Sequence, residues 1–430
     1  MERTKINNLQ ENQSAKIEGF VERVRDTRYM VFVILKDISG KLQISIDKEK
    51  DAALVDSAVK LVPGSVISVC GKLSLTPAVK QGGKEFLPTS LDVLSLAEPS
   101  PIDGETNIEN RMNFRWIDLR TDKNQLMCKV ESEFTSAFKD FLVKNDFIEI
   151  HTPKLIGAES ESGAGVFEVK YYDTKAFLTQ SPQFYKQMAM AAGLERVFEF
   201  GPVFRAEKFS TNRHASEYTS LDLEMSYISS YEDVMNFEED LIIYILTQIK
   251  AKYGEEIKNV FGADIVIPTK PFPRMELADL YKIFESKYNY KVAEEEKTDL
   301  TTEGERLACR YAKEHFGHEF IFVVGFPGDK RPFYHMRDDA GRLMGYDLLW
   351  KGIEITSGAQ REHRYEQLKA VAESKGLKKD VEFYLEFFKY GCPPHGGFAI
   401  GMERFLMLLL NIDTIKEVQF LFRGPNRLAP

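Results

Sequence analysis

Three stretches of this sequence carry residue types at spacings that could do chemistry on an anionic ligand. The first is Phe204-Arg205-Ala206-Glu207, which runs into a polar loop ending at Arg213-His214 and returns as Tyr218-Thr219-Ser220-Leu221-Asp222-Leu223-Glu224. If the strand pattern continues through it, Arg205 and Glu207 share a face, and a guanidinium sits beside a carboxylate over one ligand. A surface ion pair has the same pattern. The second is Glu354-Ile355-Thr356-Ser357-Gly358-Ala359-Gln360-Arg361, a strand meeting a Ser-Gly turn. A carboxylate and a hydroxyl there could share a hydrated divalent cation. The third, Pro393-Pro394-His395-Gly396-Gly397-Phe398-Ala399-Ile400-Gly401-Met402-Glu403-Arg404, is glycine-rich backbone opening a helix with an arginine in its first turn. Glycines let a ligand approach and the arginine supplies charge, although a packed strand-to-helix turn reads the same way.

Those stretches need a scaffold, and 430 residues suit two domains. Residues 16–96 are short apolar-alternating runs broken by glycines, which predict five strands with a helix over 49–61 and a small OB-type barrel. The stretch Glu98-Pro99-Ser100-Pro101-Ile102-Asp103-Gly104 predicts a boundary, giving a first domain over 1–100, a linker over 101–124 and a second domain over 125–430. There, helical spacing over 125–145 leads into FIEIHTP. Strand text follows (FEFGPVFRAEKF, SLDLEMSYI, FIFVVGF, YDLLWKGIEITSGAQ), interrupted by helices over 231–252 and 401–411. Irregular mixing of antiparallel-looking strands and helices predicts α+β. There is no Walker sequence and no G-x-G-x-x-G, so a bound nucleotide would need a different kind of site.

Composition excludes several classes. With 43% hydrophobic and 29% charged residues, no apolar run long enough to span a membrane and no apolar leader in the first 20 residues, the chain reads as cytoplasmic. Four isolated cysteines (Cys70, Cys128, Cys309, Cys392) give no zinc or redox spacing. The net charge of −9 hides an asymmetry: residues 1–100 sum to +1, leaving −10 on the rest. A near-neutral module on an acidic body permits a local nucleic-acid face.

Taken together and in this order, after the Pro153-terminated helix and strand, the three stretches resemble the motifs of class II aminoacyl-tRNA synthetases across nearly the whole chain. QSPQFYKQMAMAAG, RVFEFGPVFRAE and GIEITSGAQREH, with the N-terminal OB-like module, resemble the aspartyl-tRNA synthetases of the archaeal/eukaryotic type in subclass IIb. The bacterial type carries a large extra domain between the second and third motifs, for which this chain has no room. The resemblance implies an antiparallel catalytic sheet and an ATP-dependent reaction in which aspartate becomes an adenylate and passes to tRNA(Asp).

The same resemblance implies the roles of individual residues. Arg205 would hold the α-phosphate and the aspartate α-carboxylate. Glu207 would accept from the adenine amino group, with Tyr218 under the ring and Arg404, after Gly401, over it. Arg213 and His214 would reach the outer phosphates. Glu354 and Ser357, with Asp347, would hold Mg2+. Lys186 and Arg361 would bind the side-chain carboxylate, and Gln183 and Glu161 would surround the α-amino group. In the barrel, Arg25, Phe32, Gln43 and Lys80 would meet the anticodon, although Phe32 reads equally as barrel core.

The helix over 125–145 resembles the dimer motif of the class and implies a homodimer, although its apolar residues could all face the protomer's own core. Two departures from the pattern matter. FLFRGPNRLAP lacks the Phe-Pro-Arg-Asp usual near the C-terminus, and Glu22 stands where the family more often has Trp or His. Glu22 and Lys80 leave open whether tRNA(Asn) is a second acceptor. Asparaginyl-tRNA synthetases usually lack the lysine matching Lys186, which favours aspartate. A same-fold enzyme that makes asparagine would be expected to lack residues 16–96. A non-catalytic descendant would be expected to lose Arg205, Glu354 or Arg404.

Overall fold

The computed structural model describes residues 1–80, 82–159, 165–208, 211–328, 331–377 and 381–430. By internal contacts the chain divides into two units, Met1–Arg120 and Thr121–Pro430.

Period-two alternation builds the first unit. β1 (Ser14–Asp26), β2 (Met30–Lys36) and β3 (Lys41–Asp47) form an antiparallel meander. After α1 (Ala52–Ala58), β4 (Val66–Leu75) and β5 (Lys84–Ser95) close a barrel in the order β1-β2-β3-β5-β4. Val31, Val33 and Leu35 of β2 point inward with Ile17, Ile44, Ile67, Val69 and Phe86, so the intervening Phe32 and Ile34 face outward. The helix expected over 49–61 is shorter because Asp47 turns the chain first, its carboxylate accepting from the Glu49 amide at 3.0 Å. The predicted linker contains two short helices, α2 (Ile108–Asn113), capped by Asn107, and α3 (Arg115–Asp118), whose fully buried Arg115 pairs with Asp118.

The second unit opens with α4 (Asp122–Lys144), capped by Thr121, and β6 (Ile148–Glu149). A small sheet of β7 (Leu155–Ile156), β8 (Glu168–Tyr171) and β9 (Thr174–Leu178) precedes α5 (Gln183–Ala191). Then come β10 (Arg196–Phe204), β11 (Glu217–Ser226), α6 (Tyr231–Phe261), β12 (Arg274–Glu276), α7 (Leu277–Tyr288), α8 (Thr302–Phe316) and β13 (Phe320–Val324). The chain ends with β14 (Gly345–Trp350), β15 (Ile353–Gln360), α9 (Tyr365–Ser374), α10 (Glu382–Lys389), β16 (His395–Gly401), α11 (Met402–Leu409) and α12 (Ile415–Val418).

Eight strands form one sheet in the order β12-β13-β14-β15-β16-β11-β10-β6. The inner pairings are antiparallel, and only the terminal strands β12 and β6 run parallel to their neighbours. The apolar stripe of α4 is buried within the protomer: Phe134 packs on Phe405 at 4.8 Å, Phe138 on Phe198 at 6.0 Å, and Phe141 on Phe237 of α6 at 5.4 Å. α6 outlasts the predicted 231–252. A capping box at Ser230 and Asp233 starts it, Ile257 is still buried near its end, and Gly262 in the left-handed region stops it. Among the described residues, no helix is long and apolar enough to cross a membrane.

Candidate active site

The sheet order brings the three chemical stretches together. β10 and β11 carry the first, β15 the second and β16 the third, and β16 lies between β11 and β15. Asp222, Ala399, Ser357 and Asp347 form one row across four strands. Glu354 and Ser357 are three residues apart, which in a regular strand would place them on opposite faces. A bulge with Ile355 as its extra residue, where Thr356 and Glu354 oppose Leu348 and Leu349, lets both line the cavity. At Gly397 a Cβ would lie 2.1 Å from the Leu223 carbonyl oxygen and 2.5 Å from Glu224 Oε2, so only glycine lets Glu224 lie flat across β16.

The resulting cavity of about 470 Å3 lies within the second unit. One end is cationic. Arg205, Arg213 and Arg404 surround His214, and burial together with those three guanidinium groups pushes its imidazole down to about 4, leaving it neutral. Arg213 is held by Glu305 at 2.6 Å. Arg404 Nε donates to the Arg213 carbonyl and its Nη1 to the Glu354 carbonyl, both at 3.3 Å, tying the third stretch to the other two. Arg205 lies 5.6 Å over the Tyr218 ring. Opposite stands Glu354, whose carboxyl is pushed up to about 7, first by the enclosing protein and then by Asp347. Asp347 itself is held by Arg331, which also reaches Asp299 at 3.0 Å.

The other end is closed and charge-balanced. Lys186 is fully buried, 2.9 Å from Asp222 and 3.6 Å from Glu224, and donates to the Leu223 carbonyl at 3.3 Å. Arg361 grips Glu224 through Nε at 2.9 Å and donates through Nη2 to the Gly397 carbonyl at 2.9 Å, while Nη1 lies 3.1 Å from His335 Nε2. Burial pushes Glu224 upward, and the charges of Arg361 and Lys186 overcome it, holding the carboxylate ionised. Burial and Arg361 keep His335 neutral. Each of the two cations expected to bind the side-chain carboxylate already has a carboxylate of the protein beside it.

Gln183, Arg205, Glu207, Arg213, His214, Tyr218, Glu354, Ser357, Arg361, Gly401 and Arg404 all line this cavity. Lys186 and Asp347 stand behind the wall, reaching it through Asp222 and Arg331. Glu161 lies outside the described residues. The strand predicted through Glu207 ends at Phe204. The Ala206 amide turns to the Gly165 carbonyl, so Arg205 and Glu207 reach the cavity from a loop. In the barrel, Arg25, Phe32 and Ser45 form one cross-strand row, with the Arg25 guanidinium 4.6 Å over the Phe32 ring. Gln43, two residues along β3, donates to Ser45 at 3.2 Å, and Lys80 is exposed in the β4–β5 turn. Glu22 is the extra residue of a bulge in β1 and is bridged to Lys41 at 2.7 Å.

Sequence reasoning did not single out Asp222, Glu224, Arg331 or His335. The first two had a legible signal, since acidic residues alternate with Leu221 and Leu223 in a strand buried on both faces. Arg331 and His335 come from irregular chain and had none.

Comparison with known proteins agrees with this arrangement. Residues 107–423 match the family of tRNA synthetases class II (D, K and N), and residues 15–94 match the OB-fold nucleic acid binding domain. A relative from Aeropyrum pernix, an aspartate–tRNA(Asp/Asn) ligase, is 40% identical over 96% of this chain and 95% of its own. An aspartate–tRNA(Asp) ligase from Pyrococcus abyssi is 38% identical over 97% and 96%. Among solved structures, the asparaginyl-tRNA synthetase of Pyrococcus horikoshii with asparaginyl-adenylate superposes with a TM-score of 0.91 at 28% identity over the full length of both chains. The aspartyl-tRNA synthetase of Entamoeba histolytica does so at 0.88 and 29%, covering all of this chain and 93% of its own.

Proposed function

We infer the activity from one premise: this chain belongs to the tRNA synthetases class II (D, K and N). It is an ATP-dependent aspartate–tRNA ligase that activates L-aspartate as aspartyl-adenylate and transfers it to the 3′ end of tRNA(Asp). One observation carries the reading. A single cavity joins a cationic end, built from Arg205, Arg213 and Arg404, to a closed end where Arg361 and Lys186 meet Asp222 and Glu224.

The chemistry needs no side-chain nucleophile, because the substrate carboxylate attacks the α-phosphorus and expels pyrophosphate, and later the ribose hydroxyl of the tRNA attacks the acyl carbon and expels AMP. The protein holds the reactants and offsets charge. Arg205, beside Tyr218, neutralises the α-phosphate and the α-carboxylate, which must approach despite like charge. Arg213 and His214 hold the outer phosphates and pyrophosphate, the neutral His214 adding hydrogen bonding without charge. Tyr218 and Arg404 offer faces to the adenine ring, with Glu207 accepting from its amino group.

The donor set fits magnesium. Among the described residues no three His, Cys, Asp or Glu side chains could encage an ion, and magnesium takes only one or two carboxylates plus substrate phosphates. Glu354, crowded beside Asp347 and raised in pKa, gains from a cation, and Ser357 faces Asp347 across the ladder. Held by Glu354 and Ser357, a bound magnesium would supply positive charge against the phosphates. Asp347 is itself held by Arg331.

Aspartate is preferred over asparagine because Arg361 is donor-only. After Glu224, Gly397 and His335 are satisfied, one N–H of its Nη1 is left, which a carboxylate meets with charge as well as a hydrogen bond, whereas a carboxamide can offer only its neutral oxygen. Pyrophosphate exchange without tRNA is the test. It follows aspartate and requires magnesium, whereas exchange that follows asparagine and ignores aspartate overturns the substrate assignment.

The barrel supplies the tRNA-reading face, with Phe32 as a stacking platform and Gln43 and Arg25 beside it. Lys80 leans towards tRNA(Asp) alone, while tRNA(Asn) is the second acceptor to test. The enzyme acts as a homodimer in the cytoplasm. Since α4 spends its apolar stripe inside the protomer, the dimer face is assigned to the free edge at β6 with exposed Val143, Ile148 and Leu155. Light scattering gives twice 49.3 kDa, and a stable, fully active monomer would overturn the dimer.

A further inference from the structure

Behind the closed end lies a chain of hydrogen bonds that the reaction itself does not use. His395, at the start of β16, is fully buried, and its Nδ1 lies 2.8 Å from the Pro393 carbonyl oxygen. A carbonyl has no proton to give, so Nδ1 carries the ring proton. The Cys392 sulfur is farther from the same nitrogen, at 3.6 Å. Burial pushes the ring down to about 4, so it is neutral at physiological pH and Nε2 keeps its lone pair.

Gln187 Nε2, 3.0 Å away, donates to that lone pair. This fixes the Gln187 amide, whose Oε1 then accepts from the Tyr384 hydroxyl and from Gln183 Nε2, each at 3.0 Å. Gln183 Nε2 also faces Glu224 Oε2 at 3.4 Å, a second acceptor. Gln183 lines the cavity, and among the described residues no donor reaches its oxygen.

We infer that the chain from the Pro393 carbonyl through His395 and Gln187 locks the Gln183 amide with its oxygen left for the cavity, making Gln187 and His395 positioning residues for the substrate's ammonium group. The inference rests on the closed end being the amino-acid site. An acceptor-only oxygen suits an ammonium, whereas a flipped amide would set N–H against N–H. The histidine tautomer thus decides which atom of Gln183 meets the ligand.

Two measurements test it. In protein carrying 15N-histidine, the His395 signal, assigned by its loss in His395→Gln, shows the Nδ1–H tautomer, and a wild-type Nε2–H tautomer overturns the proposal. In pyrophosphate exchange, Gln187→Leu raises KM for aspartate roughly tenfold or more while KM for ATP and kcat move less than about threefold. Gln187→Glu keeps an acceptor for Gln183 and Tyr384, so its aspartate KM stays within about threefold of wild type, while the new carboxylate protonates His395 at both nitrogens. Equal rises in both KM values, or a Glu variant as impaired as Leu, would contradict it. Failure of the functional reading is separate, because wild-type exchange would then ignore aspartate while the tautomer is read without any substrate.

Discussion

As the proposed magnesium ligand, Glu354 must ionise in a place that favours its neutral form. The enclosing protein and Asp347 raise its carboxyl to about 7, so below that pH a proton competes with magnesium. Apparent magnesium affinity, measured by titration in the presence of ATP, therefore strengthens as pH rises through about 7, and an affinity flat across that range would contradict the assignment. The linkage sign agrees. A carboxyl raised on folding contributes stability that is present below its unfolded pKa and lost as pH rises through about 7, so magnesium stabilises the protein most on the alkaline side. At this scale Arg205, Glu354 and Arg404 were legible because arginine and carboxylate types at fixed offsets carry their chemistry in the sequence. Arg331 was not, because its ion pair with Asp347 joins residues whose relation only the folded sheet defines.

Behind that site, α6 presses Glu238 against β14, where Tyr346 donates to Glu238 Oε2 at 2.6 Å. Tyr346 in turn fills the space beside Gly358, where a Cβ would lie 2.4 Å from its ring carbon and hydroxyl, so helix and site strand are packed through one buried pair. Burial raises the Glu238 carboxyl to about 8. Being raised on folding, it contributes stability below its unfolded pKa that is lost as pH climbs through about 8. Glu238→Gln removes that loss, so its melting temperature declines less than that of wild type over the same climb. Identical slopes would show that Glu238 is not the group responsible. The elements themselves followed from periodicity where one face is buried, as in β2 and α4. Periodicity failed at the ends: α6 continues through exposed charged residues to Gly262, and the strand before Arg205 stops where the Ala206 amide finds Gly165 instead of β11.

For the whole molecule, the division at Arg120 puts the OB-fold barrel in one unit and the cavity in the other. Outward-facing Phe32 is not barrel core, so Phe32→Ala leaves melting nearly unchanged while removing roughly 1–3 kcal/mol of base stacking. Aminoacylation then falls and pyrophosphate exchange does not, since every cavity residue lies in Thr121–Pro430. A lowered melting point with intact charging would return Phe32 to a structural role. The Pro/Gly break over 98–104 lies between two kinds of periodicity, whereas the compact units divide at Arg120, and α2 and α3, which fall between the two, were hidden by their brevity. The central claim is tested most directly by offering the purified protein labelled aspartate or labelled asparagine with tRNA(Asp) and tRNA(Asn) in separate reactions. The expected result is aspartate joined to tRNA(Asp), with or without tRNA(Asn), and no asparagine on either. Asparagine on tRNA(Asn) with no aspartate transferred would contradict it.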